Sequence, residues 1–265
     1  MNFILIDGSY FIFYRYYALC VWWKMAKTEN ESDNPCENER FMSKFRETFI
    51  SKIEELEYKL GLDCSVKIVG KDCPKSKIWR NDYIDNYKTH RKSDDINIGS
   101  LFDIVYNEEL FTKASCKAVL EHPCLEADDC LAITTKHICS KYPEAKIWII
   151  TSDMDYLQLA SEKVTLIDLK FKNLRESKNS YKDAEKDLFC KIVSGDKSDN
   201  IESVFKRCGL KTAANLYDNK ELFYKKLSED PFAKKIYDRN TKIINFNNIP
   251  TNIIDEFTKT LDILQ

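Results

Sequence analysis

Histidine is scarce and paired cysteines are absent in this chain of 265 residues. Three histidines are too few for a histidine-rich zinc site or for several histidine-based triads. The ten cysteines are dispersed and no two are three positions apart, so the spacing typical of structural zinc sites is missing. Dispersed cysteines in a chain of this length are typical of free thiols, and we therefore expect an intracellular protein in a reducing compartment, the cytoplasm or the nucleus.

Long apolar segments are also missing. The aromatic stretch Tyr10–Trp23 is interrupted by Arg15 and is shorter than the ~20 apolar residues that span a bilayer. The apolar run Phe3–Ile6 is followed at once by Asp7, and no small-residue cleavage pattern follows Tyr10–Trp23, unlike in a signal peptide. These patterns predict a helix packed into a globular protein, with no membrane association.

Neither sign of charge is in excess. The 41 Lys and Arg and 43 Asp and Glu leave a net charge of −2, which argues against a uniformly basic coat for nucleic acid but permits local basic patches. With 43% hydrophobic and 12% aromatic residues, the chain is too apolar to be disordered. The composition therefore indicates a globular protein with a sizeable core.

Short apolar runs alternate with helical patterns in the first two thirds of the chain. The runs have the composition of buried strands. They are Phe3–Asp7, Ser65–Val69, Lys117–Leu120, Lys146–Thr151 and Val164–Leu169. The helical patterns cover Tyr10–Lys24, Phe41–Lys59, Glu126–Ser140 and a short stretch after Asp155. This alternation predicts an α/β fold with a mostly parallel central sheet flanked by helices.

The last third of the chain has a different character. From about Tyr181 onward helical patterns dominate and lysine is frequent, up to a final helix predicted over Ile253–Leu264. We therefore predict an α/β core over 1–180 and a helical C-terminal subdomain over 181–265.

Acidic side chains recur at predicted strand ends, at one helix start and in one loop. They are Asp7, Asp72, Glu126, Asp128, Asp129, Asp153, Asp155, Asp196 and Asp199. In parallel sheets ligands bind beyond the carboxyl ends of the strands, and clustered carboxylates repel one another unless cations compensate them. Carboxylate oxygens favour Mg²⁺ or Mn²⁺, and two such ions about 3.5–4 Å apart suit phosphodiester hydrolysis.

Each acidic signal also has a structural interpretation. Asp7 could cap a helix, the acids after Leu125 could complement a helix dipole, and Asp196–Asn200 could be an ordinary loop. Asp153 and Asp155 are the hardest to explain in this way, because two acids directly after a buried strand have no evident structural purpose. The joint occurrence of these signals favours a metal site.

Two segments are locally basic. Lys71–Lys92 has seven Lys or Arg against three Asp, and Lys206–Lys242 has ten against five acids. In the first, Trp79 and Tyr87 are interleaved with the charges, a pattern that suits single-stranded nucleic acid but also an amphipathic helix with its aromatics in the core. We expect Trp79 in the core and Tyr87 stacked on a base.

Three motifs in combination resemble the 5′→3′ exonuclease/flap endonuclease family. They are Leu125–Asp129, Thr151–Leu159 and Gly195–Ile201. The branch that looks most similar includes the 5′-nuclease domain of bacterial DNA polymerase I and phage ribonuclease H, and the resemblance extends from Asp7 to about Leu216. It implies a PIN-like 5′-nuclease core, a helical arch over about 80–121 and a C-terminal helix–hairpin–helix element.

The resemblance also implies a ligand set for two ions of Mg²⁺ or Mn²⁺. One ion would be held by Asp7, Asp72, Glu126 and Asp128. The second would be surrounded by Asp129, Asp153, Asp155, Asp196 and Asp199. A metal-activated water would then attack the phosphodiester directly and leave a 5′-phosphate, without a covalent enzyme intermediate.

Three basic residues would act on the substrate by the same resemblance. Lys88 and Arg91 would face the scissile phosphate and stabilise its charge, and Arg80 would steady a neighbouring phosphate. His90 is expected to be a surface residue, because the metal ions already generate the nucleophile.

The turn at Cys208–Ala214 resembles the family's hairpin, which grips the duplex backbone without reading sequence. A helix that begins there offers free N–H groups to phosphate. The predicted nucleic-acid contacts are Tyr87, Lys206, Arg207, Gly209, Lys211 and Thr212. The usual Pro-Gly and doubled glycine are replaced by Ser203–Gly209, which puts the family's K⁺ site in doubt here.

The expected substrate is DNA or an RNA–DNA hybrid, and the expected state is a monomer that works with replication or repair proteins. Two other functions fit parts of the pattern. A haloacid-dehalogenase-like phosphatase would carry its Asp-x-Asp after the first strand, whereas Asp153 and Asp155 follow a late one. A non-catalytic binding relative would gain from losing the nine carboxylates, because they repel phosphate.

Overall fold

Five parallel strands form the centre of the molecule. The computed structural model describes residues 1–28, 31–32, 34–89 and 98–264. The strand order is β3-β2-β1-β4-β5, and every neighbouring pair is parallel. The strands are β1 (Asn2–Asp7), β2 (Val66–Gly70), β3 (Ala118–Leu120), β4 (Lys146–Ile150) and β5 (Val164–Ile167). All five predicted strands and the parallel sheet are therefore confirmed.

Ten α-helices surround and extend this sheet in the described part of the chain. The first five are α1 (Gly8–Ala26), α2 (Glu39–Leu60), α3 (Ile98–Asn107), α4 (Leu110–Lys113) and α5 (Ala127–Lys141). The last five are α6 (Ala184–Ser194), α7 (Leu210–Asp218), α8 (Lys220–Glu229), α9 (Pro231–Ile244) and α10 (Thr251–Thr258). The short helix expected after Asp155 is a 3₁₀ helix, Met154–Leu159. None of these helices is both long and apolar enough to cross a lipid bilayer.

Alternation along β1 divides the core into two layers. Phe3 and Leu5 face one side, where they join α5, the 3₁₀ helix and α10. Ile4 and Ile6 face the other side, where they join α1 to α4. Because successive strand residues point to opposite faces, a strand covered by helices on both sides has to be apolar throughout.

Helix α2 shows how the sequence pattern produces one of these layers. Its buried side chains recur every three or four residues, which places them on one face. They include Phe41, Phe45, Phe49, Ile53 and Leu56. The side chain of Asn38 caps the first turn, and Gly61 ends the helix in the left-handed conformation with φ of 67°.

The strand order reverses between β1 and β4, and this switch point positions the site. At such a point the connections leave in opposite directions and open a crevice at the carboxyl ends of the strands. Gly70 closes β2 beside this crevice, where a Cβ atom would stand 2.7 Å from the Ala127 carbonyl oxygen. The absence of a side chain at Gly70 therefore lets α5 begin directly against the end of β2.

The C-terminal helices share buried contacts with the segment that follows β2. Ile78 and Ile84 pack with Ile243 and Ile244 of α9. The end of the chain returns to the sheet, because Phe257 of α10 belongs to the layer around α5. Within the range predicted as a helical subdomain, 181–265, α9 thus packs against the segment after β2 and α10 packs with the core.

The range predicted for an arch, about 80–121, contains elements of the core. Leu101 and Val105 of α3 and Phe111 of α4 are buried in the layer with α1 and α2, and β3 is a strand of the sheet. Residues 90–97, which the prediction also covers, lie outside the described residues.

Candidate metal centre

Asp7 and Asp72 lie together at the ends of β1 and β2. Asp7 caps α1 by accepting from the Tyr10 N–H at 3.0 Å, and its second oxygen accepts from the Thr151 hydroxyl at 3.1 Å. Asp72 accepts from the Ser9 hydroxyl and from the Ala127 N–H at 2.8 Å. Burial, and then the charge of Asp72, raise the pKa of Asp7 to about 7.

The start of α5 supplies the next three acids. The ligand atoms of Glu126, Asp128 and Asp129 all lie within 4.8 Å of one another, a grouping that could hold a metal ion. Burial, and then the charge of Asp129, raise the pKa of Asp128 well above its ordinary value. Burial and the neighbouring carboxylate therefore both disfavour the charged form of Asp128 in the protein alone.

Arg80 is the buried counter-ion of this group. It is 3% exposed, and its two terminal nitrogens each donate to Asp129 at 2.7 Å. One of them also donates to Glu126 at 2.8 Å, and Nε donates to the Ile243 carbonyl at 2.7 Å. This placement corrects the role predicted for Arg80: its guanidinium has no open face for a phosphate, and it holds α5, α9 and the segment after β2 together.

Asp129 differs from Glu126 and Asp128 in its burial and in its hydrogen-bond donors. Its side chain is fully buried, and besides Arg80 it accepts from the Trp79 indole N–H at 2.9 Å. Both oxygens therefore already have strong donors, and Asp129 anchors Arg80. Trp79 is 3% exposed, which confirms its expected place in the core.

Lys88 and Tyr87 cover Glu126 from the other side. The Lys88 Nζ donates to Glu126 at 2.5 Å, and the Tyr87 hydroxyl donates at 3.2 Å. Burial favours a raised pKa for Glu126, but Lys88 and Arg80 outweigh it and hold the pKa of Glu126 below its ordinary value. Tyr87 is 9% exposed, so its ring offers no open face to a base, contrary to the stacking expected for it. Arg91, like His90, lies outside the described residues.

A second acidic group follows β4. Asp153 caps the 3₁₀ helix by accepting from the Asp155 N–H at 2.9 Å. Burial, and then the charge of Asp155, raise the pKa of Asp153 to about 6. Asp153 also contributes to the raised pKa of Asp7, which links the acids that follow β1 and β4.

Lys191 of α6 completes this group, and no sequence pattern points to it. Its Nζ lies 2.6 Å from Asp155 Oδ1 and 2.6 Å from Asp196 Oδ2. Burial would raise the pKa of Asp196, but Lys191 outweighs burial and the pKa falls to about 2. In sequence Lys191 looks like Lys186 of the same helix, which pairs with Asp218 instead; only the packing of α6 distinguishes the two.

The loop after α6 carries the remaining acids to the same place. Asp199 is buried, and its Oδ2 lies 3.9 Å from the Lys88 Nζ. Gly195, with φ of 68°, starts the loop where a Cβ atom would stand 2.5 Å from the Ile201 and Glu202 carbonyl oxygens. Lys88 thus bridges the acids of α5 and those of the loop.

These residues fit divalent cations. The donors are carboxylate oxygens, the ligands that Mg²⁺ and Mn²⁺ prefer. Burial, and then the charge of neighbouring carboxylates, raise the pKa values of Asp7, Asp128 and Asp153 despite the nearby cationic side chains. A divalent ion would relieve that repulsion.

The predicted phosphate contacts of the C-terminal part lie at the start of α7. Gly209 is the N-terminal cap of this helix, and Arg207 has a left-handed backbone with φ of 60°. The side chains of Lys206, Arg207, Lys211 and Thr212 are exposed around it. The turn thus presents basic groups beside the N–H groups of a helix start.

Comparison with known proteins identifies similar chains. Residues 2–186 match the family model described as 5′-3′ exonuclease, N-terminal resolvase-like domain. The chain is 29% identical over 251 residues to the 5′-3′ exonuclease of Buchnera aphidicola, covering 91% of this chain and 79% of that protein.

Two solved structures from bacteriophage T5 have the same fold. The D15 protein co-crystallised with metal ions aligns with a TM-score of 0.68 and 18% identity over the whole of both chains. The D15 flap endonuclease in complex with DNA and metal ions aligns with the same score and 19% identity, covering 100% of this chain and 98% of that one.

Replacing Arg80 by methionine should destabilise the protein strongly. The change leaves the buried charge of Asp129 without its partner, which costs about 3–5 kcal/mol of unfolding free energy. Urea unfolding followed by circular dichroism measures this loss. Lys234→Met is the control, because it removes an exposed pair with Asp238 worth about 0–1 kcal/mol. Equal losses in the two variants would contradict the role given to Arg80.

The contribution of Asp7 to the stability of the metal-free protein should fall as pH rises. A carboxyl with a folded-state pKa of about 7, raised from 3.8, binds a proton that the unfolded chain has released, so its contribution declines between these two pH values. Thermal unfolding in a chelator at pH 5 and pH 7.5, compared between wild type and Asp7→Asn, isolates this residue. We expect the melting temperature of the variant, relative to that of the wild type, to rise between pH 5 and pH 7.5. A difference that does not change with pH would refute the raised pKa of Asp7.

Proposed function

Because this chain belongs to the 5′-3′ exonuclease family, we propose that it is a structure-selective nuclease that cleaves phosphodiesters at 5′ ends, flaps or RNA–DNA junctions with two divalent metal ions. The observation that carries the proposal is the convergence of acids from three strand ends, the start of α5 and the loop after α6. Lys88 and Lys191 each contact two of these acids.

The proposed ligands fall into two sets. Asp7, Asp72, Glu126 and Asp128 would hold one ion. Asp153, Asp155, Asp196 and Asp199 would hold the other. Bound divalent ions supply activation of the attacking water and neutralisation of the leaving oxygen. Asp129 supports this arrangement indirectly, by fixing Arg80 and through it Glu126.

Lys88 is the residue proposed to act on the substrate. In the protein alone its ammonium group compensates Glu126 and Asp199. With Glu126 holding a metal ion, the Lys88 ammonium would be free to face the scissile phosphate and stabilise its negative charge. We propose the same role for Arg91, and the products would carry a 5′-phosphate.

The turn before α7 is proposed to hold the duplex. Lys206, Arg207, Lys211 and Thr212 surround the helix start at Gly209, where N–H groups and positive charge suit a phosphate backbone. The fold shared with the T5 flap endonuclease, whose structure contains DNA, supports DNA as the partner. A role beside replication or repair proteins, as an intracellular monomer, fits this substrate.

Mg²⁺ should support cleavage of a 5′-labelled flap, and a chelator should abolish it. Asp153→Asn combined with Asp155→Asn should remove turnover yet leave DNA binding equal or tighter, because two charges that repel phosphate are lost. Asp238→Asn is the control for an acid outside the site. Gel analysis of flap, nicked, single-stranded and RNA–DNA substrates gives rates and product sizes, and cleavage by the double variant at the wild-type rate would exclude the proposed centre.

Lys88 and the α7 turn should affect different steps. Lys88→Ala should lower the cleavage rate about 100-fold, the usual effect of removing one group that stabilises transition-state charge, with a smaller effect on binding.

Lys206→Ala and Arg207→Ala should instead weaken duplex binding and reduce its logarithmic salt slope by about 1 per lost contact. Fluorescence anisotropy across a salt series tests this, with Lys225→Ala as the control; an unchanged slope would place the duplex elsewhere.

A further inference from the structure

Two buried tyrosine hydroxyls lie near the acidic groups without a hydrogen-bond partner in the described part of the protein. They belong to Tyr106 of α3 and Tyr156 of the 3₁₀ helix. An unpaired buried hydroxyl destabilises the folded protein, and buried polar groups in folded proteins are nearly always paired. A phenylalanine would fill either position without this cost, so the hydroxyls require an explanation.

Tyr156 approaches from the α5 side of the sheet. It directly follows Asp155, is 0% exposed, and its ring packs against Phe246 with centroids 6.2 Å apart. Burial raises its pKa well above the ordinary value, and the charges of Asp7 and Asp128 raise it further. The hydroxyl therefore lies in the field of acids from both β1 and α5, although it donates to none of them.

Tyr106 approaches from the opposite side. Its hydroxyl oxygen lies 2.9 Å from the point where a Cβ atom on Gly8 would stand, next to Asp7. Burial raises the pKa of Tyr106, and the charges of Asp72 and Asp7 raise it further. The Lys71 ammonium lies 4.7 Å from the centre of the Tyr106 ring.

A hydroxyl between an acid and a hydrated cation can do two things at once. It accepts one hydrogen bond and donates another. Mg²⁺ keeps several of its waters when protein carboxylates bind it, and groups behind the direct ligands orient those ligands and tune affinity. Tyr106 packs on the α1 side of the sheet and Tyr156 on the α5 side, and the charge of Asp7 acts on both hydroxyls.

We propose that Tyr106 and Tyr156 are positioning residues for the hydrated divalent cation: each hydroxyl accepts a hydrogen bond from the cation's hydration water and donates its own hydrogen to a carboxylate that holds the cation. The inference rests on the proposed function, because it requires the carboxylates to bind metal. Each hydroxyl would then lower the stability of the metal-free protein and raise the affinity for the metal ion.

Tyr106→Phe and Tyr156→Phe test this, since each removes a single oxygen atom. In a chelator both variants should melt at the same temperature as the wild type or higher, because an unpaired polar group is lost. Their affinity for Mn²⁺, measured by electron paramagnetic resonance of the free ion, should fall about 10-fold, as for other groups behind metal ligands. The rise in melting temperature on adding Mn²⁺ should shrink accordingly.

Tyr181→Phe is the matched control. The Tyr181 hydroxyl donates to the Leu210 carbonyl at 3.2 Å, so its loss should lower the melting temperature in both states and leave Mn²⁺ affinity unchanged. Wild-type Mn²⁺ affinity in a Phe variant would overturn the role of that tyrosine, and a lower melting temperature in the chelator would show a hydroxyl already bonded. No Mn²⁺ binding by the wild type would instead overturn the proposed function.

Discussion

Mutual repulsion among acids at one edge of a parallel sheet is the constraint on which the rest of this structure depends. Carboxylates brought together at low solvent exposure favour their protonated forms, and the raised pKa values of Asp7, Asp128 and Asp153 record that tendency. Cationic side chains from separate segments of the chain offset part of this repulsion. Arg80 is the most deeply buried of them, and its contacts join α5, α9 and the segment after β2.

The cations divide into two kinds with different consequences. Arg80 is enclosed, with every nitrogen donating to protein oxygens, so its role is to keep Asp129 and Glu126 in place. Lys88 and Lys191 are flexible ammonium groups that each contact two acids. A planar, permanently charged guanidinium suits a fixed bidentate pair, whereas an ammonium on a flexible stem can exchange partners. The near-neutral total of charges is thus the sum of an acidic site and basic surfaces around it.

Sequence patterns predicted the elements better than the contacts between them. Strands and most helices followed from local composition, because a strand covered on both faces must be apolar along its length. The burial of Trp79 agreed with prediction, but that of Tyr87 did not, since the charges beside Tyr87 suggested an exposed segment. Lys191 carried no local signal, because its role depends on which face of α6 meets the 3₁₀ helix.

What the sequence determined by itself was the parallel α/β sheet, the order of its strands along the chain and the acids that follow them. These depend on local patterns and on the rule that the carboxyl ends of parallel strands share one edge. Only the tertiary structure decided which cation pairs with which acid, that Asp129 anchors Arg80, and that the hydroxyls of Tyr106 and Tyr156 are buried without partners. Such pairings join residues far apart in sequence, and the depth of burial, which sets their energy, is a property of the packed molecule.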